Sequence, residues 1–102
     1  MSDMLFEQVR NQLEQAGNEI TRKATLPLVG AELLPDVLTL KIFQMEGPRK
    51  KNFCTVNVVI DKTKNQIWQV QMSKLVGAFA PMRPIVTKAL GEAFRGITIG
   101  EV

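Results

Sequence analysis

The chain predicts a single α+β domain: a three- or four-stranded antiparallel sheet packed by a long N-terminal helix and a shorter C-terminal one. Three observations carry this. An apolar stripe at helical spacing runs through the first two dozen residues. Three β-prone runs follow, joined by short turn-forming links. A proline-started amphipathic segment precedes a glycine near the C-terminus. At 102 residues, with 45% hydrophobic and 23% charged residues, the chain has the length and composition of one globular domain, residues 1–102.

The first helix is written in Leu5, Val9, Leu13, Ala16, Ile20 and Ala24, spaced four, four, three, four and four apart. That spacing draws one stripe along a helix. Ser2 or Asp3 is placed to cap its first turn. Arg22 and Lys23 suit the negative end of the helix dipole, and Glu19 and Lys23 are an i,i+4 pair. Gly17 lies off the stripe and weakens the helix. Pro27 stops it, because the residue before a proline avoids helical angles. The segment 26–35, LPLVGAELLP, is too apolar for a free loop and reads as a connector lying on the core.

Residues 37–45, 53–61 and 66–72 are the three expected strands, giving the order α-β-β-β-α. Their links, EGPRKKN and KTKN, are short enough for antiparallel hairpins. Alternation puts Cys54, Val56, Val58 and Ile60 on one face, and Trp68, Val70 and Met72 on another facing the same helix. Val56, Val58, Ile60, Trp68 and Val70 are therefore expected under the Leu5–Ile20 stripe. KLVGAFAPM predicts a short helical turn broken at Pro81. Pro84 opens the second helix, Ile85, Ala89, Leu90, Ala93 and Phe94 form its buried side, and Gly96 is a natural stop. The tail ITIGEV is β-prone enough to add a terminal strand.

The composition removes several chemistries. The chain has no histidine and no tyrosine, so the commonest general base and metal ligand are missing. The lone Cys54 builds neither a disulfide nor a cysteine-rich zinc site. Its alternation with core valines marks it as an inert buried thiol. The glycines match no phosphate-cradling spacing, and no spacing forces two carboxylates together. The expectation is a non-enzyme without catalytic residues, cofactor, metal or small-molecule ligand. The N-terminus lacks the basic and apolar regions of a signal peptide, and no apolar run reaches the length of a membrane span. A cytoplasmic location is the expectation.

The stretch MEGPRKKNFCTVNVVID sets Arg49, Lys50 and Lys51 beside a Gly-Pro turn. A plain reading is solubility, since charges near a hairpin tip blunt sheet edges. The net charge of +3 allows an anionic partner without requiring one. The segment also resembles the first hairpin of the double-stranded RNA-binding domain family, where a strand, an EGP turn, a lysine-bearing stretch and an F-x-V-x-V strand follow in this order. The α-β-β-β-α order is similar too. The resemblance implies that the 46–52 loop enters an RNA minor groove, with Arg49, Lys50 and Lys51 as contacts. The family's lysine-rich opening of the second helix is replaced here by SKLVGAFAPMRP, which removes phosphate contacts from that surface.

A second candidate surface is the outer face of the sheet. Alternation gathers Thr39, Lys41, Phe43 and Met45 on strand one, Phe53, Thr55, Asn57 and Val59 on strand two, and Ile67, Gln69 and Gln71 on strand three. Apolar groups rimmed by amides suit a protein interface. The leading expectation is a small interaction module, self-associating as a homodimer through this face or the ITIGEV edge, or docking on and inhibiting a larger partner. Its interface residues are Phe43, Met45, Phe53, Asn57, Gln69 and Gln71. Nucleic-acid binding through the basic hairpin, double-stranded RNA first, is the alternative.

Overall fold

The computed structural model describes residues 2–102, with side chains from Met4 onward. The expected cap at Ser2 or Asp3 lies outside the described side chains. The elements are α1 (Ser2–Lys23), β1 (Val29–Leu33), β2 (Thr39–Glu46), β3 (Arg49–Asp61), β4 (Gln66–Met72), a 3₁₀ helix (Gly77–Met82), α2 (Arg83–Ala93) and β5 (Ile99–Glu101). The sheet runs in sequence order, β1-β2-β3-β4-β5. The first three pairings are antiparallel, and β5 joins β4 in parallel. The α+β class and the helix–strands–helix order hold. The strand count and polarity do not: the sheet is mixed and has five strands.

Both additions have physical reasons. β1 forms inside the expected connector. Pro27 and Pro35 bracket it, and Ala31 and Leu33 line up with Ile42 and Leu40 of β2. β5 is the ITIGEV tail. After α2 the chain turns at Gly96, whose φ is +80°, and returns along β4 with Val70 N–H bonded to Thr98 O at 3.0 Å and Val102 N–H to Met72 O at 2.9 Å. A strand that follows a helix crossing over the sheet can pair in parallel, which a hairpin cannot. Arg83 holds the tail with an ion pair to Glu101, Nε to Oε2 3.0 Å. The guanidinium keeps the Glu101 carboxyl below the usual glutamate range.

α1 lies on β1, β2 and α2. Its stripe residues Val9, Leu13, Ala16 and Ile20 are buried. They form one core with Leu40 and Ile42 of β2, Cys54, Val56 and Val58 of β3, and Val70 and Met72 of β4. Leu75, Met82, Val86, Leu90 and Phe94 complete it from the C-terminal half. Gly17 is buried too. A Cβ there would stand 3.2 Å from Leu40 Cδ1 and 3.3 Å from Ala31 Cβ, so the glycine marks where the helix touches the β1–β2 pair.

Two bulges correct the expected face assignments. Ile42 pairs with Cys54 but Phe43 with Asn52, leaving Phe53 as an extra residue in β3. Val59 pairs with Gln69 but Ile60 with Ile67, leaving Trp68 extra in β4. An extra residue shifts the alternation beyond it by one. Ile67 therefore packs on the core, and Trp68 is 62% exposed where burial was expected. At this end of the ribbon β3 and β4 pair only with each other, so no third strand shelters the indole. Val56, Val58 and Val70 are buried as expected, and Ile60 is half-buried.

This division gives a contrast measurable by urea denaturation. Leu13→Ala empties a fully buried site and is expected to cost about 2–5 kcal/mol. Trp68→Ala is expected to change stability by no more than about 0.5 kcal/mol. A loss of several kcal/mol at Trp68 would mean that the bulge is absent.

Candidate functional site

The helices cover one face of the sheet. On the other, register places Gly30 and Glu32 of β1, Lys41, Phe43 and Met45 of β2, Lys50, Asn52, Thr55, Asn57 and Val59 of β3, and Gln69 and Gln71 of β4. Five of the six expected interface residues are here: Phe43, Met45, Asn57, Gln69 and Gln71. Phe53 is not. As the extra residue of its bulge it stacks on Phe79 of the 3₁₀ helix, centroids 4.5 Å apart and planes within 5°. Both rings pack against the core, so Phe53 belongs to the helix-covered side.

The centre of the open face is built around Gly30. Phe43 lies across its backbone, so that an added Cβ would stand 2.5 Å from Phe43 Cζ and 2.8 Å from Cε1. An aromatic ring on a cross-strand glycine fills the gap the missing side chain leaves. Lys50 closes over the other side of the ring, its Nζ 4.9 Å from the centroid, and pairs with Glu32 Oε2 at 2.9 Å. The result is a small apolar plate under an ion pair that spans β1 and β3. Toward the opposite edge the amides form their own set. Thr39 Oγ1 donates to Asn57 Oδ1 at 2.6 Å, Gln71 Nε2 donates to Gln69 Oε1 at 3.2 Å, and the Gln69 side chain lies over Gly100. The face thus has an apolar plate near β1–β2 and an amide-rich part near β4–β5.

The basic run takes a different form from the expected loop. Gly47, with φ +61°, and Pro48 make a two-residue turn, and β3 begins at Arg49 opposite Glu46. A positive φ followed by proline's fixed negative one suits the hairpin turns whose twist matches the strands. Arg49, Lys50 and Lys51 are therefore strand residues and alternate in direction. Lys50 stands on the open face. Lys51 turns to the helix-covered side, 3.6 Å from Glu46 Oε1 and 5.5 Å from the Phe79 centroid. Arg49 is exposed beside the turn. The three cations do not converge on one surface.

Cys54 is buried, its Sγ 3.8 Å from Ser73 O, and burial pushes its thiol pKa up. Among the described residues, no group of three or more His, Cys, Asp or Glu side chains is placed to hold a metal ion, and no helix is long and apolar enough to cross a membrane. Comparison with protein-family models, with curated proteins and with solved structures returned no match.

Sequence reasoning missed Gly30, Glu32 and Phe79 as parts of these arrangements. The first two sit in β1, inside the segment whose sequence reads as a connector. The flanking prolines and the short Val-Gly-Ala-Glu-Leu run were the available signals.

The plate yields a coupling that denaturation of four proteins can measure. Gly30→Ala is expected to destabilise by about 1–3 kcal/mol through overpacking against the ring. In a Phe43→Ala background the same change is expected to be nearly neutral, giving a clear interaction energy. Additive effects would remove Phe43 from Gly30.

Proposed function

We propose that this chain is a small non-catalytic protein-binding module that docks through its open sheet face. The observation that carries the reading is the plate of Phe43 on Gly30 within a helix-free face of a five-stranded sheet. An apolar centre beside hydrogen-bonding amides is what a protein partner can desolvate and pair with. Phe43 is the aromatic at the centre of this plate, and aromatic anchors carry a large share of interface energy.

Double-stranded RNA binding, which the hairpin resemblance implies, is the reading it competes with. Lys50 and Lys51 each have a carboxylate neighbour and stand on opposite sides of the sheet, which weighs against a shared phosphate-binding stripe.

Photo-crosslinking separates the two. A photoreactive residue at Met45 or Gln71 is expected to capture protein, and one at Gln8 or Asn11, on the exposed side of α1, is not. Phe43→Ser should abolish the open-face capture. Capture from α1 alone would overturn the reading. So would salt-sensitive binding of duplex RNA that is lost when Arg49, Lys50 and Lys51 become Ala.

A further inference from the structure

The sheet has two edges, and they differ. β5 is three residues long and its Glu101 is tied to Arg83. Such a short strand gives an intruding chain little to pair with. β1 offers more. Leu28 O accepts from Met45 N–H and Leu34 N–H donates to Thr39 O, both at 3.0 Å. In an antiparallel pair, bonded positions alternate. Residues 28, 30, 32 and 34 therefore bond toward β2, and Val29, Ala31 and Leu33 turn their N–H and C=O groups to the free edge. Among the described residues, nothing donates to or accepts from these groups in the other backbone and side-chain bonds. β1 contains no lysine, proline or bulge, three of the devices that block an edge, and its one charge, Glu32, is paired with Lys50.

A second observation lies at the end of this strand. Leu28 has φ +58° and is 70% exposed. A bulky residue held at positive φ is costly, and its side chain gains no burial here.

We propose that β1 pairs with β1 of a second copy, antiparallel about a two-fold axis at Ala31, joining two sheets into one of ten strands. This register is self-complementary. Ala31 meets Ala31 of the other copy, and Val29 meets Leu33, so all three outward-bonding residues of each strand are satisfied. On the open face Gly30 falls opposite Glu32, with no like charges directly facing. The exposed Leu28 falls at the register position of Leu34 in the other copy, where the positions are not hydrogen-bonded and side chains stand closest. Strands are spaced about 4.8 Å apart. Two α1 helices, each over its own β1–β2 pair, then stand roughly 10 Å apart across the seam, the separation at which helices pack, so the pairing also sets α1 beside α1 of the other copy. The pairing leaves the open face uncovered, so it goes beyond the docking reading and does not depend on it.

Hydrogen exchange read with light scattering tests this on the whole chain. At high micromolar concentration the protein is expected at twice its 11.4 kDa mass. The amides of Val29, Ala31 and Leu33 should exchange slowly there and quickly on dilution, while Gly30 and Glu32 stay slow throughout. Ala31→Pro removes the central donor without touching the β2 ladder, and should give a monomer that keeps Gly30 and Glu32 protected. Should that variant fail to fold, Leu28→Asp replaces an exposed side chain and should weaken the dimer at least about tenfold, by removing a leucine from the seam. Phe43→Ser should leave the dimer intact. A monomer at every concentration overturns the proposal. So does a dimer whose Val29, Ala31 and Leu33 amides stay fast. A dimer dissolved by Phe43→Ser but not by the β1 changes overturns the edge pairing and keeps the open-face reading.

Discussion

The rest of the structure depends on the contact between α1 and the β1–β2 pair at Gly17. A helix with one apolar stripe must bury it. Here the stripe comes down on strands, and the missing Cβ lets the backbone sit directly over Leu40 and Ala31. Arg10 supports the same seating from the side, donating from Nη1 to Leu34 O at 2.9 Å and also to Val37 O. Those carbonyls belong to the turn between β1 and β2. The helix therefore fixes both the face and the edge geometry of the first hairpin, and its cover determines which face of the sheet stays open.

Once that cover is set, surface chemistry follows from register. The bulge at Phe53 sends one aromatic to the core side, where it stacks on Phe79, while Phe43 stays on the open face across Gly30. The same strand separates Lys50 from Lys51. Cations adjacent in sequence thus end on opposite sides, each satisfied by a different glutamate. These exposed pairs add little to stability. Their consequence is for recognition, because a polyanion would have to displace Glu32 and Glu46 to use both lysines.

How far the fold could be read from the residues varies with the physics behind each element. α1 was legible because a stripe over twenty residues is a long periodic signal. The strand at 66–72 was legible in its bounds, and α2 in its proline start. β1 was not, because a five-residue strand with two small residues looks like a connector until a helix packs on it. The misplacement of Trp68 and Phe53 has one cause: alternation assumes unbroken pairing, and a bulge leaves no clear mark in composition. By helix pattern alone Gly17 reads as a weakness of the helix. Its role is tertiary and invisible to a pattern that considers one helix alone. Five of the six residues expected on the open face lie there, since the β2, distal β3 and β4 positions fall within regular stretches of the ladder; Gly30 and Glu32 escape a reading that takes β1 for a connector.

The most direct test of this account is the stability of Gly17→Leu. Helix propensity by itself predicts a gain of roughly 0.8 kcal/mol, since leucine is a far better helix former than glycine. The packing described here predicts the opposite sign. Leucine cannot fit between α1 and the Leu40–Ala31 surface, and the variant should lose at least about 1–3 kcal/mol by overpacking. A more stable Gly17→Leu protein would contradict the seating of α1 on β1–β2.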